Sequence, residues 1–108
     1  MPSYLIQFSY APETLAAMIK KPVDRKAVIS KLAEEVGGKL AGYWLAFGEY
    51  DGVAIIEGGD NVGAAACSAV VASSGAFKSF RTTPLLNPDE AMAALKKAGG
   101  IKYKPPGR

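Results

Sequence analysis

From Ser3 to Tyr10 the side chains alternate, with Tyr4, Ile6, Phe8 and Tyr10 set against Ser3, Leu5, Gln7 and Ser9. A period of two in aromatic and branched residues predicts a strand, ended by Ala11-Pro12. Pro12 suits the first position of a helix, and Glu13 lies near the positive end of its dipole. Leu15, Met18 and Ile19 recur at helical spacing. Pro22 disfavours helical geometry at Lys21, so a break is predicted there. A second helix is expected from about Pro22 to Val36. Val28, Ile29, Leu32, Ala33 and Val36 form its apolar stripe, and Arg25, Lys26, Lys31, Glu34 and Glu35 fall mostly away from it. Gly37-Gly38 is a strong stop.

Period two returns over 39–47. Tyr43, Leu45 and Phe47 alternate there with Leu40, Gly42, Trp44 and Ala46. The run breaks at Gly48-Glu49-Tyr50-Asp51-Gly52 and resumes at once as a third strand, 53–57. Asp60 suits the cap of a helix made almost entirely of small residues, 61–74, with Gly75 as its stop. A fourth strand is predicted over 76–83. Asn87 caps a last helix with Pro88 at its start, Asp89 and Glu90 in its first turn, and Lys96 and Lys97 in its last. Two β-α-β units joined by a hairpin predict an α+β, ferredoxin-like fold, β-α-β-β-α-β. Its antiparallel sheet carries helices on one face and an extra helix follows at the C-terminus. Residues 1–98 read as one domain and 99–108 as a flexible basic tail.

The break at 48–52 reads as a hairpin with a three-residue turn, Gly48 and Gly52 flanking it and supplying positive φ where the chain reverses. A tyrosine at its tip is unusual for a turn, and a ring there needs something to pack against.

The Gly48-Glu49-Tyr50-Asp51 hairpin, the first strand with its "SYAPE" end, the "GGKLAGYWLAFG" strand and the "RTTPLL" end of the last strand together resemble the GYD domain family. The resemblance runs from Tyr4 to about Lys97. It implies a place among the dimeric α/β-barrel proteins of ferredoxin-like fold, and it carries over no catalytic residue.

Neither face of the expected sheet reads as cleanly polar. Helices cover one face, and an uncovered face rich in aromatic and aliphatic area marks an interface. The simplest cover is a second copy of the chain about a two-fold axis, so a homodimer, or a higher oligomer built from it, is expected.

Composition narrows the chemistry. Of 108 residues 49% are hydrophobic and 21% charged, values of an ordinary globular domain. The formal charge is +3, but Lys96, Lys97, Lys102, Lys104 and Arg108 follow one another with no acid between them, which leaves a body of net −2. Nucleic acid is therefore not an expected partner. No apolar run reaches the roughly 20 residues that span a bilayer, so no membrane partner is expected either. The N-terminus shows no basic leader or cleavage site, and Cys67 is the single cysteine. These point to the cytoplasm. The chain has no histidine, which excludes Ser-His-Asp and Cys-His catalysis and the usual zinc and haem ligation. No metal and no cofactor is expected.

Polar groups near strand ends include Gln7, Ser9, Thr82 and Thr83, but the candidate ligand-binding set is Tyr50, Asp51, Arg81, Tyr10 and Tyr43. Arg81 is the one arginine inside a predicted strand. It forms a salt bridge to Asp51 or Glu49, or clamps a small anion with its planar fork. Glu49 and Asp51 read as turn carboxylates before they read as an acid/base pair, and Cys67 as a small helix residue before a nucleophile. Three functions stay open: a homodimeric module binding a small, partly apolar anion; a cofactor-independent enzyme; and a structural or assembly role. The enzyme is of the isomerase or monooxygenase kind that the barrel superfamily implies, leaning on Tyr50, Asp51 and Arg81.

Overall fold

The computed structural model describes residues 1–107; Arg108, the last charge of the basic tail, lies outside the described residues. The chain runs β1 (Ser3–Tyr10), α1 (Pro12–Lys20), α2 (Lys26–Glu35), β2 (Gly38–Leu45), β3 (Gly52–Gly58), α3 (Asn61–Ser73), β4 (Phe77–Leu85) and α4 (Pro88–Ala98). The four strands form one sheet in the order β2-β3-β1-β4, every pair antiparallel. This is the α+β, ferredoxin-like architecture, with the first helical region split in two and a helix added at the end.

Local chemistry explains most boundaries. Asp60 accepts the Gly63 N–H at 2.8 Å and starts α3. Asn87 and Glu90 form a reciprocal capping box at the start of α4, with bonds of 2.8 and 3.1 Å. Gly37 and Gly75, at φ 81° and 76°, turn the chain out of α2 and α3. The start of α2 differs from the sequence expectation. Pro22 does not open the helix. The Asp24 carboxylate accepts the Lys26 N–H at 2.9 Å and holds residues 22–25 outside it, so α2 begins at Lys26 with Arg25 as its cap residue.

The connection at 46–51 also differs. It is longer than a three-residue turn, and neither Gly48 nor Gly52 has positive φ. Gly52 is needed for space: a Cβ there would strike the Phe8 ring.

Register sorts the side chains. Tyr4, Ile6, Phe8 and Tyr10 are all buried on the helix-covered face, and Ala54, only 1% exposed, sits beside Ile6. Two irregularities break the simple alternation. In β2 the pairing slips between Leu40 and Gly42, so Leu40 and Tyr43 share the covered face rather than opposing one another. In β4 a slip beside Ser79 brings Phe77 and Phe80 to that same face, opposite Tyr10 and Phe8. The result is an aromatic cluster. Phe8 and Phe77 meet edge to face at 5.6 Å, and Tyr10 stacks on Phe77 at 5.2 Å.

The uncovered face carries Leu5, Val53 and Ile55 on the two central strands, all half-buried, with Trp44 54% exposed beside them. Lys39, Glu57, Arg81 and Thr83 lie on the same face and are exposed. Neither α1 nor α4 has a buried residue. The radius of gyration is 17.2 Å, above the about 13 Å of a compact chain of this length.

Candidate functional site

The covered face of the sheet and the two helices α2 and α3 do not meet completely. Between them lies a cavity of about 290 Å³. Its cause is side-chain size. α3 presents Ala64, Cys67 and Ser68 toward the sheet, and β3 answers with Ala54 and Gly58. Small residues on both walls leave space that the aliphatic stripe Val28, Ile29, Leu32 and Val36 of α2 roofs over and does not fill.

The two ends of the cavity differ in polarity. At the Tyr4 end the polar groups are satisfied. Tyr4 donates its hydroxyl to Asn61 Oδ1 at 2.8 Å, and Asp60, the one carboxylate lining the cavity among the described residues, caps α3. Midway, Ser68 Oγ donates to the Ala64 carbonyl at 3.0 Å and accepts from the Thr82 hydroxyl at 2.7 Å. Six residues along β1, about 20 Å away, lies the opposite end, with Tyr10, Tyr43 and Arg25. There the Tyr10 and Tyr43 hydroxyl oxygens are 3.5 Å apart, well beyond the about 2.7–2.8 Å of a good hydroxyl–hydroxyl bond. Tyr10 is only 6% exposed, and this long contact to Tyr43 is the side-chain hydrogen bond its hydroxyl makes.

Burial pushes the Tyr10 phenol well above the ordinary tyrosine range, and its bond to Tyr43 and the charges of Tyr43 and Asp51 add to this. Arg25 is close enough to act in the other direction. Tyr10 therefore stays protonated and serves as a neutral hydrogen-bonding group. Burial, and then the charge of Glu35, raises the Cys67 thiol as well, the opposite of what an activated nucleophile needs. With no histidine in the chain and Asp60 at the cap of α3, the Tyr10 end of the cavity offers hydroxyls and a guanidinium and has no carboxylate in its lining. No group of three or more His, Cys, Asp or Glu side chains that could hold a metal ion exists among the described residues.

The five residues singled out from sequence fall on both sides of the sheet. Tyr10 and Tyr43 come together in the cavity. Arg81 and Tyr50 come together on the uncovered face, where the guanidinium carbon lies over the Tyr50 ring, 6.0 Å from its centroid. Asp51 joins neither group. Its Oδ2 accepts the Tyr10 backbone N–H at 2.9 Å, its own N–H donates to the Phe8 carbonyl at 2.8 Å, and its carbonyl accepts the Ala46 N–H at 2.8 Å. Ser9 Oγ adds a bond to the Glu49 carbonyl at 3.2 Å. The interruption at 48–52 is thus sewn to the end of β1, and the tyrosine at its tip packs under Arg81.

Arg25 is the site residue that sequence reasoning missed. It was grouped with the solvated side of α2. Yet Arg25, Val28, Ile29 and Leu32 stand at i, i+3, i+4 and i+7, so the arginine continues the apolar stripe by one turn. A cation in line with an apolar stripe is the signal that was available. Cys67 and Ser68 line the cavity too, and their smallness is what makes the room.

No helix of the described residues is long and apolar enough to cross a membrane. No curated protein and no solved structure matches this chain. A family model does. The GYD domain model matches residues 4–95, from the first buried tyrosine of β1 into the last turns of α4, and spans the cavity, the sewn turn and both faces of the sheet. The chain therefore belongs to the GYD domain family.

Proposed function

We propose that this GYD-domain protein is a cytoplasmic homodimer that binds a small, partly apolar anion in the cavity between the sheet and helices α2 and α3. The observation that carries the reading is the cavity itself: about 290 Å³, walled by aliphatic and aromatic side chains, with the Tyr10 and Tyr43 hydroxyls at one end beside a single cation, Arg25. An apolar cavity of about 150 Å³ already accepts a benzene-sized guest, so this one has room for a ring and a short substituent. A largely apolar pocket with a few convergent polar groups is the common form of a small-molecule site.

Dimerisation is supported by the uncovered face. Its centre is apolar, at Leu5, Val53, Ile55 and Trp44, and Lys39, Glu57, Arg81 and Thr83 surround that centre. Apolar core and polar rim are the usual anatomy of a subunit interface. Pairing two sheets through these faces would leave the cavity, on the opposite side of each sheet, free for ligand. The free thiol of Cys67 accords with a reducing compartment.

The binding reading is tested with anilinonaphthalene sulfonate, an apolar anion whose emission rises on transfer from water, and with Ala64→Leu, which adds three carbons to the cavity wall. Wild type should enhance the emission saturably. Ala64→Leu should weaken the binding by at least about tenfold while keeping the far-UV spectrum, since cavity filling is compatible with the fold. Equal binding by the two proteins would place the probe elsewhere and end this reading.

A further inference from the structure

The Arg25 end of the cavity defines more than the sign of a ligand's charge. We propose that the ligand is an aromatic monocarboxylate, with its carboxylate between the Arg25 guanidinium and the Tyr10 and Tyr43 hydroxyls and its ring against Phe8 and Phe77. This assignment rests on the cavity being the binding site.

The hydroxyl pair gives the first argument. Two phenol oxygens 3.5 Å apart satisfy one another poorly. An oxygen anion placed beside them accepts a proton from each, and both phenols become donors. Because burial keeps the Tyr10 phenol protonated, it donates to an anion at any ordinary pH. Charge-assisted bonds of this kind are about twice as strong as neutral ones.

Charge gives the second. Arg25 is the one cation among the residues lining the cavity; the lining carboxylate, Asp60, is at the far end in the cap of α3, and Asp51, whose charge reaches the Tyr10 phenol, lies outside the lining with its carboxylate on the Tyr10 backbone N–H. One cation balances one negative charge. A phosphate dianion held there would keep an uncompensated charge against apolar walls, which is costly. A carboxylate is also planar and suits the guanidinium fork, and each of its oxygens keeps a second lone pair for the phenols.

The walls give the third. Next to the polar end the lining is aromatic: Tyr10, Tyr43, Phe8, Phe77 and Phe80. Their rings meet at mixed angles, from 22° for Phe8 and Tyr43 to 89° for Phe8 and Phe77. Such a wall offers both ring edges and ring faces, the two surfaces against which a flat aromatic guest packs. Aliphatic residues from α2 roof the remainder.

The experiment measures binding to the full chain by calorimetry with four probes: cinnamate, its neutral amide cinnamamide, cyclohexanecarboxylate and phenyl phosphate. Cinnamate should bind about tenfold or more tightly than each of the other three, as expected for a charge-assisted contact together with ring packing. Arg25→Gln should cut the preference for cinnamate over cinnamamide several-fold, weakening the acid more than the amide. Arg25 has no side-chain cap bond to lose, so this variant keeps its fold. Tyr10→Phe and Tyr43→Phe should each weaken cinnamate several-fold and cinnamamide less. Acid and amide binding alike, or a preference undiminished by Arg25→Gln, would overturn the carboxylate assignment. Tighter phenyl phosphate would overturn the single charge, and equal cyclohexanecarboxylate would overturn the aromatic ring. In each of those cases, loss of binding in Ala64→Leu would leave the cavity standing as the site. If wild type binds none of the four, the inference falls, and the anilinonaphthalene sulfonate result then decides whether the cavity reading falls with it.

Discussion

The carboxylate of Asp51 takes the backbone N–H of Tyr10 at 2.9 Å, while the N–H of Asp51 itself goes to the Phe8 carbonyl at 2.8 Å. One residue thus carries the β1–β3 ladder one step past the end of β3, with a side-chain oxygen standing in for a main-chain carbonyl. Removing that oxygen leaves a part-buried donor without a partner. Asp51→Ala should therefore cost about 2 kcal/mol, a Tm lower by roughly 10 °C in a domain of this size. Asp51→Asn retains an acceptor and should lose less than half as much. Thermal melts that showed Asp51→Ala unchanged would mean the contact contributes nothing to the fold.

Gly52 and Gly48 bracket the same segment for different reasons. A Cβ at Gly52 collides with the Phe8 ring, and one at Gly48 meets nothing within 4 Å. Gly52→Ala should destabilise by about 1–3 kcal/mol, the range for overpacking a core. Gly48→Ala should stay within about 0.5 kcal/mol of wild type. Denaturant titration of the pair reads the difference directly, and equal midpoints would refute it.

Alkaline pH should loosen the protein through Tyr10. The folded state holds that phenolic proton more tightly than the unfolded chain, whose tyrosine has the ordinary value of 10.0. The resulting stability is complete below that value. It declines as pH rises above it, because the unfolded chain gives up its proton first. Urea midpoints followed from about pH 8 to about pH 11 should fall less steeply for Tyr10→Phe than for wild type. Identical slopes would show that burial leaves this phenol unperturbed.

The uncovered face gives a fourth expectation. Ile55 lies at its centre, opposite Leu5 on one side and Gly42 on the other. Ile55→Lys places a charge in the middle of the proposed interface, where desolvating it is costly. Light scattering should find twice the chain mass for wild type and a single chain for the variant, with the far-UV spectrum retained. A wild-type protein of single-chain mass at micromolar concentration would dispose of the dimer.

Element order, the main stops and both side-chain caps were legible in the sequence because each depends on neighbours a few residues away. Asp60 reaches Gly63, and Asn87 reaches Glu90. Sidedness was less legible. The pairing slips in β2 and β4 follow from partner strands, and from residues 39–47 alone Leu40 and Tyr43 fall on opposite sides. The role of Asp51 was hidden for the same reason, since its partner Tyr10 is 41 residues away. The candidate site was half legible. Tyr10 and Tyr43 were found as polar tips on apolar strands. Arg25 reads as part of the solvated side of α2 although it stands in line with Val28, Ile29 and Leu32, and the cavity itself comes from the smallness of Ala54, Ala64 and Cys67, which no single position announces.

Both outer strands of the sheet carry a flaw in their ladder. In β2 it is the extra residue beside Leu40, and in β4 it is Pro84, which lacks an N–H, together with the slip near Ser79. A neighbouring chain that tried to lengthen the ladder sideways would find it out of step on one side and missing a donor on the other. Sideways extension of the sheet into fibrils is thereby disfavoured.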